Sequence, residues 1–315
     1  MTDPEVAMST KMLGYIFKRI ILTIVTIFVI ITVTFFIMHA IPGGPFLSEK
    51  AVTPEVLAAL EAKYGLDKPL LTQYWLYLKG VAQLDFGPSL KSRGRDVIDI
   101  ILEGFAVSGK LGLTAAGIAI FMGILLGSIA AINRNKAFDN IIMVMTTAFV
   151  AMPGFVAGSF LLIVFCVKWP IFPANGALEG GLVLPVIALS LYPMSYITRL
   201  TRSSMLDVLQ QDYIRTARAK GVSKILIIFK HALKNALIPV ITYIGPMIAY
   251  IVTGSFVIER IFSVPGIGRQ FVSCITNRDY PAIMGTTIFL ASLVVIMNLI
   301  SDIFYKIVDP RIDFS

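Results

Sequence analysis

Residues 107–132 read VSGKLGLTAAGIAIFMGILLGSIAAI, and Lys110, near the start, is the only charged residue in this stretch. A helix needs about 20 apolar residues to cross a bilayer core of about 30 Å, so the stretch is long enough to span a membrane. Backbone polar groups in lipid must find partners within their own segment. We therefore interpret the stretch as a helix and not as a strand.

Similar apolar blocks occur on both sides of this stretch. They lie at 15–41, 141–167, 182–197, 236–258 and 283–308, and the block at 182–197 is the shortest. The chain has 315 residues, of which 57% are hydrophobic and 15% charged, and its mean hydropathy is +0.82. A soluble domain of this length would carry far more charge. We predict an all-α integral membrane protein with six transmembrane helices.

The charges predict an orientation for these helices. With the amino terminus inside, the inner segments hold 15 of the 27 basic residues but 8 of the 19 acidic ones, so most of the net charge of +8 lies inside. This distribution is typical of the positive-inside rule and argues against nucleic acid as the partner. We expect a multi-pass protein of the cytoplasmic membrane of a prokaryote, with both termini in the cytoplasm.

The chain divides into four parts by composition. Residues 1–11 are interpreted as a disordered cytoplasmic leader, and 12–41 as a first transmembrane helix whose apolar run is too long for a signal peptide. Residues 42–106 form a small extracytoplasmic segment, with helices predicted at 53–64 and 69–84. Residues 107–315 form a five-helix core that contains a cytoplasmic loop at 199–235.

Glycines and prolines occur within the predicted spans. Gly123 and Gly127 have the spacing of a close helix contact, which we assign to packing within the chain rather than to a dimer. Proline inside a span frees a backbone carbonyl and is tolerated where protein or a water-filled cavity supplies a partner. The prolines therefore indicate a translocation path lined by Met152, Pro153, Tyr192, Pro193 and Pro246.

The sequence lacks the residues that several kinds of chemistry require. The interiors of the predicted spans contain no Asp, Glu, Lys or Arg, although ion-coupled transporters use such groups. No phosphate-binding G-x-x-x-x-G-K-[ST] loop is present, and Cys166, Cys274, His39 and His231 have no metal-ligand or nucleophile spacing. We expect no enzyme activity, catalytic residue, metal site or cofactor in this chain, so any energy for transport must come from another polypeptide.

The inner loop is the candidate place where that energy enters. The spacing of Met205, Leu206 and Leu209 predicts a helix over 203–220. Gly221 suits its C-terminal cap, and Ser223 suits the N-cap of a return helix over 224–237. Small residues before the glycine leave the helix end slim enough to enter a groove on a partner. The alternative is an amphipathic helix that lies on the lipid surface.

The sequence DYIRTARAKG at 212–221, followed by HALKNAL at 231–237, resembles the EAA loop of binding-protein-dependent ABC importer permeases. The segments 64–70, 84–89, 259–268 and 278–281 are similar to the outer segments of the B-type subunit in the oligopeptide, dipeptide and nickel branch. Arg215 and Lys234 depart from the general EAA pattern in the manner of the peptide branch, while Gly44 and the residues at 104–108 depart from the branch itself.

This resemblance implies a type I ABC importer permease fold and a function. The chain would be a permease subunit of an ATP-driven importer of oligopeptides or dipeptides and would form half of the translocation pathway. Its partners would be a second related permease subunit, two ATPase subunits that hold ATP and magnesium, an extracytoplasmic solute-binding protein, the peptide and membrane lipids. The 212–222 loop would couple it to the ATPases through Asp212, Tyr213, Arg215, Thr216, Ala217, Arg218, Ala219, Lys220 and Gly221.

The resemblance also implies a contact with the solute-binding protein. That contact would involve Glu259, Arg260, Pro265, Gly266, Arg278 and Asp279. One alternative stays within the family and imports nickel, glutathione or another small solute. A second alternative is a channel or receptor-like membrane protein that works without an ATPase.

Overall fold

The structure is a computed structural model that describes residues 4–41, 58, 62, 65–92 and 94–308. The helices are α1 Pro4–Ala40, α2 Leu70–Ala82, α3 Val97–Ile132, α4 Ala137–Ala151, α5 Gly154–Leu162, α6 Val183–Leu209, α7 Asp212–Ala219, α8 Ile238–Val252, α9 Phe256–Ile261, α10 Ile267–Asn277 and α11 Tyr280–Val308. π-helical turns continue α5 over Ile163–Lys168. A return segment of three helical pieces, Lys224–Leu226, Ile227–Ala232 and Leu233–Ala236, leads into α8.

Five stretches of the described chain are long and apolar enough to cross a membrane. They are Gly14–Ala40, Val97–Ile132, Val183–Leu209, Ile238–Ile261 and Tyr280–Ile303. The pair Ala137–Ala151 and Gly154–Lys168 passes the same test together but is bent by 103°. The bend lies at Met152 and Pro153, between α4 and α5. Pro153 has no N–H to continue the hydrogen bonds of α4. Counted as one span, the pair brings the number to the predicted six, and the all-helical membrane fold is confirmed.

Several predicted boundaries are wrong. The leader at 4–11 is part of α1, and α3 begins at Val97 instead of 107. The helix predicted to end at 197 continues as α6 to Leu209. A helix does not stop where its apolar run stops, and residues 198–209 contain neither Gly nor Pro to break it.

The outer segment is described in part. Its second helix is confirmed as α2, preceded by Pro69 with a φ of −52°. Most of the helix predicted at 53–64 lies outside the described residues.

The described chain forms two compact units. The first combines described residues of 1–107 with 265–306. Its apolar core includes Phe35, Val97, Ile101 and Ile267, with the aromatic rings of Tyr74 and Tyr77 packed near Phe35. This core joins the end of α1 to α2 and to the start of α11.

The second unit is built mainly of residues 108–264, and α6 is its central helix. It packs against α4, α5, α8, α9 and the return segment. A Cβ atom on Gly127 would lie 2.5 Å from the Thr198 carbonyl oxygen, and one on Gly123 would lie 2.7 Å from Ile197. These glycines bring α3 against α6, so their predicted role in packing within the chain is confirmed.

Candidate functional site

The inner loop forms a short helix, α7, that is separate from α6. The predicted continuous helix over 203–220 is wrong, because α6 ends at Leu209 and Gln211 adopts an extended conformation with a ψ of 150°. This residue redirects the chain before Asp212. The consequence is an independent eight-residue helix on the surface of the second unit.

The predicted caps of the loop are confirmed. Gly221 has a φ of +75°, a conformation that residues with a Cβ atom adopt with strain. Its N–H donates to the carbonyl of Arg218, and the N–H of Val222 donates to that of Ala217. The Ser223 hydroxyl accepts a hydrogen bond from the N–H of Leu226 at 3.4 Å, which begins the return segment.

One buried side chain fastens α7 to the rest of the unit. Ile214 is fully buried in a cluster that includes Met205 of α6 and Ile227 and Ala232 of the return segment. The Asn235 side chain also donates to the Tyr213 hydroxyl at 2.8 Å. The other face of α7 holds no buried residue. The helix is therefore attached to the unit through the one face that carries Ile214.

The predicted coupling residues lie on the open face of the loop. Ala217 is half-buried, and Asp212, Tyr213, Arg215, Thr216, Arg218, Ala219, Lys220 and Gly221 are exposed. A Cβ atom on Gly221 would have no neighbour within 4 Å. A cavity of about 500 Å³ adjoins the loop, and Arg218, Lys224, Leu209 and Ile227 are among its lining residues. The loop thus combines a slim exposed end, basic side chains and an adjacent cavity.

A buried ion pair lies between α4 and α6 in the same unit. The Arg202 guanidinium donates two hydrogen bonds to the Asp139 carboxylate, at 2.6 and 2.7 Å. The N–H of Asn135 donates to the same carboxylate at 2.9 Å. The Asp139 side chain is 1% exposed, so these donors replace the water it has lost. The pair holds the start of α4 on α6, and no local sequence pattern predicts it because its members are 63 positions apart.

The residues predicted to line a path fall at two places in the second unit. Met152 and Pro153 lie at the bend between α4 and α5. Tyr192 is exposed and Pro193 buried on α6, while Pro246 is half-buried on α8. Both helices continue through their prolines.

Two further tyrosines belong with this second group. The rings of Tyr196 on α6 and Tyr243 on α8 lie 4.3 Å apart between centroids. Tyr196 follows Tyr192 by four residues, a spacing that would have placed both on one face of a helix. This spacing is a signal that the sequence itself carries.

The predicted contact with a solute-binding protein is wrong for two side chains. Glu259 is fully buried in the second unit and accepts a hydrogen bond from the Ser108 hydroxyl at 2.7 Å. Asp279 is buried in the first unit, where its carboxylate accepts hydrogen bonds from the Ser89 hydroxyl and the N–H of Leu90. A buried carboxylate needs such donors. Glu259 therefore links α9 to α3, and Asp279 links the turn between α10 and α11 to the segment at 89–90.

The remaining residues of that predicted contact differ in exposure. Arg260 in the second unit and Arg278 in the first are exposed, Pro265 is half-buried, and Gly266 is buried. Arg278 has a φ of 55° at the end of α10, which turns the chain toward α11. The two arginines stay available for a partner.

Comparison with known proteins places the chain among transport proteins. The family model described as a binding-protein-dependent transport system inner membrane component matches residues 123–314. The model of the N-terminal part of such membrane components matches residues 12–92. The two matches include residues of both compact units and leave residues 93–122 between them unmatched.

Individual relatives match over nearly their whole length. The dipeptide transport system permease protein DppB of Bacillus subtilis is 48% identical over 302 residues, which cover 96% of this chain and 98% of the relative. The oligopeptide transport system permease protein OppB of Haemophilus influenzae is 44% identical over 306 residues, 96% of this chain and 100% of the relative. The chain belongs to the inner membrane components of binding-protein-dependent transport systems.

Proposed function

We propose that this chain is a permease subunit of an ATP-driven importer of oligopeptides or dipeptides and forms half of the translocation pathway. The similarity of the chain to permeases named for dipeptide and oligopeptide transport supports the proposal. The single observation that carries the coupling role is α7, an exposed helix fastened by one buried residue, Ile214.

The chain has no phosphate-binding loop of its own, so the proposed energy source is a pair of ATPase subunits. These subunits would hold ATP and magnesium, and a second related permease subunit would complete the pathway. α7 would insert into a groove of one ATPase. An extracytoplasmic solute-binding protein would deliver the peptide on the opposite side of the membrane, and the exposed Arg260 of the second unit is a candidate contact for it.

Ile214 gives a physical route for coupling. A motion imposed on the exposed face of α7 is passed to Met205 on α6 and to Ile227 on the return segment, because closely packed side chains transmit displacement. The return segment leads into α8. α6 and α8, which carry Tyr196 and Tyr243, would therefore respond to the ATPases. They would act as a two-state element whose equilibrium is biased from a distant site.

The experiment is ATP-driven peptide uptake into proteoliposomes that contain the complete importer. Ala219→Trp adds a large side chain to an exposed position of α7, where it should not disturb the fold. We expect it to weaken ATPase association and to lower uptake by about tenfold, equivalent to about 1.4 kcal/mol. Ala177→Trp is the matched control, because Ala177 is exposed in the segment between α5 and α6, on the side that the predicted orientation places outside.

Three results would contradict the proposal. Full uptake and normal ATPase association in Ala219→Trp would exclude docking through α7. Uptake of nickel or glutathione without peptide uptake would assign a different solute. Solute flux through the permease without the ATPases would indicate a channel.

A further inference from the structure

Four tyrosines form a patch on two adjoining helices of the second unit. Tyr192 and Tyr196 lie on α6, and Tyr243 and Tyr250 lie on α8. The rings of Tyr196 and Tyr243 are 4.3 Å apart at an interplanar angle of 33°. Tyr192, Tyr196 and Tyr250 are 52%, 41% and 82% exposed. We call these four residues the tyrosine patch.

Tyr196 lies near the middle of α6, whereas Tyr250 lies near the end of α8, at a point where the span continues into α9. Tyr196 is the fourteenth residue of the 27-residue α6, so it is about 20 Å from the first residue. Tyr250 is the thirteenth residue of the 24-residue span Ile238–Ile261. Tyrosine in membrane proteins normally lies at the interface with water, where its hydroxyl finds a hydrogen-bond partner.

Lipid hydrocarbon would offer no hydrogen-bond partners to the hydroxyls of these side chains. If hydrocarbon covered this surface, the exposed hydroxyls would face a medium without donors or acceptors. Pro193 and Pro246 lie within the same two helices, and neither can donate the N–H that would bond the carbonyl four residues earlier, at Leu189 and Thr242. The tyrosine hydroxyls are distributed over about two turns of α8 and about one turn of α6.

The same face of α6 stays polar beyond the tyrosine patch. Tyr192, Tyr196, Arg199 and Ser203 follow one another at helical spacing, and all four are exposed. α6 has a hydropathy of 1.3 over its most apolar window, against 3.0 for the first span. Because Arg199 and Ser203 belong to the predicted cytoplasmic loop at 199–235, we expect water to reach the inner end of this stripe.

We propose that the tyrosine patch binds the backbone of the peptide in transit. The inference rests on the proposed function and names residues of the pathway. A phenol hydroxyl both donates and accepts hydrogen bonds, which suits the N–H and C=O groups that every peptide presents. The rings give an apolar surface for any side chain, and none of the four residues is charged. The tyrosine patch would therefore accept peptides of varied sequence.

The first test removes hydroxyls and keeps the rings. The double variant Tyr196→Phe/Tyr243→Phe, assayed in the complete importer in proteoliposomes, should lower peptide uptake by about thirtyfold, because two hydrogen bonds to the peptide are lost. ATPase activity without peptide and assembly with the second permease subunit should be unchanged. The loss should be alike for acidic, basic and neutral peptides, because the backbone is the group that is bound.

Tyr77→Phe is the matched control. It removes a hydroxyl that is buried without a hydrogen-bond partner among the described residues, so neither uptake nor assembly should fall. Unchanged uptake in the double variant would overturn the proposal. Failure of the double variant to assemble with the second permease subunit would also overturn it, by showing that the tyrosine patch is a subunit interface.

The second test asks whether water reaches the tyrosine patch. Tyr192→Cys in a Cys166→Ser/Cys274→Ser background should react with a membrane-impermeant methanethiosulfonate reagent, and a saturating peptide with its binding protein should slow the reaction. Phe121→Cys on α3 is the control, because Phe121 is 68% exposed and apolar and should stay unlabelled. Labelling of Tyr192→Cys by a lipid-soluble reagent alone would overturn the proposal.

The two tests separate the proposal from the function on which it rests. If the wild-type importer shows no peptide uptake, the proposed function fails, whereas labelling still reports whether water reaches the tyrosine patch. If the wild type imports peptides and the double variant does so equally well, the backbone-binding role alone fails.

Discussion

At the residue scale, the buried carboxylates of this protein each have a defined partner. Asp139 is held by Arg202, Glu259 by Ser108 and Asp279 by Ser89. A carboxylate that has lost its water is stable only with such donors. These residues therefore hold elements in place, although their charge alone would have placed them at the surface.

The pair of Asp139 and Arg202 supports a prediction about stability. Arg202→Met leaves a buried carboxylate unpaired and should destabilise the protein by about 3 kcal/mol. The double variant Arg202→Met/Asp139→Leu removes both charges and should recover part of that loss. Thermal unfolding in detergent measures both effects.

An exposed ion pair provides the control for this prediction. Arg95 and Glu103 have side chains that are 41% and 70% exposed, and such pairs contribute little because water screens them. Arg95→Met should therefore leave the unfolding midpoint nearly unchanged. An equal loss in Arg95→Met and Arg202→Met would show that burial of the second pair is unimportant.

Cys274 supports a prediction about pH. It lies on α10, and burial together with the nearby Asp279 raises the pKa of its thiol from about 9 to about 12. The reactive thiolate is therefore scarce at about pH 8. With Cys166→Ser in place, alkylation by iodoacetamide should be slow in the folded protein and fast after unfolding in dodecyl sulfate.

The raised pKa of Cys274 has a defined effect on stability. Between the pKa of the unfolded thiol and that of the folded one, the folded chain binds more protons than the unfolded chain. The contribution of Cys274 to stability is thus present below about pH 9 and decreases toward about pH 12. Rapid alkylation of the folded protein at about pH 8 would contradict the burial of this residue.

At the scale of elements, the contact of α3 with α6 depends on missing side chains. Gly127 approaches the Thr198 carbonyl so closely that a Cβ atom would lie 2.5 Å from its oxygen. The backbone cannot move aside as a flexible side chain would. The two helices can therefore pack at this distance only with glycine at this position.

Gly127→Ala is predicted to force α3 and α6 apart and to lower stability by about 2 kcal/mol, in the range known for overpacked cores. Gly117→Ala is the matched control on the same helix, because a Cβ atom there has no neighbour within 4 Å. It should be neutral or slightly stabilising, since alanine favours helix more than glycine does. Equal unfolding midpoints for the two variants would disprove the close contact.

At the scale of the whole molecule, the orientation in the membrane decides which surface meets which partner. The excess of basic residues in the segments that include α7 supports an inner location for the loop. The segment between α5 and α6, with the exposed Ala177, would then lie outside. The orientation is a prediction from charge alone.

Thiol labelling in whole cells tests this orientation. In the Cys166→Ser/Cys274→Ser background, Ala177→Cys should react with a membrane-impermeant maleimide added outside. Arg218→Cys on α7 is also at an exposed position but should react only after the membrane is opened. Labelling of Arg218→Cys in intact cells would show that the orientation is opposite to the predicted one. It would also exclude coupling of α7 to cytoplasmic ATPases.

The sequence alone determined the helical membrane class and the number of spans. Hydrophobic blocks are a local property, because lipid requires each segment to satisfy its own backbone. The glycine cap at Gly221 and the serine cap at Ser223 were predictable for the same reason, since a cap depends on its own few residues. The resemblance in the inner loop and outer segments led to the correct family.

Only the tertiary structure decided which polar residues are buried and which apolar faces are shared. The end of α6 at Leu209 separates α7 as an independent helix, and packing of Ile214 against distant residues fastens it. Tyr196 and Tyr243 are 47 positions apart in the sequence and meet only because α6 packs on α8. Such contacts join segments far apart in the chain, so no local pattern of residues specifies them.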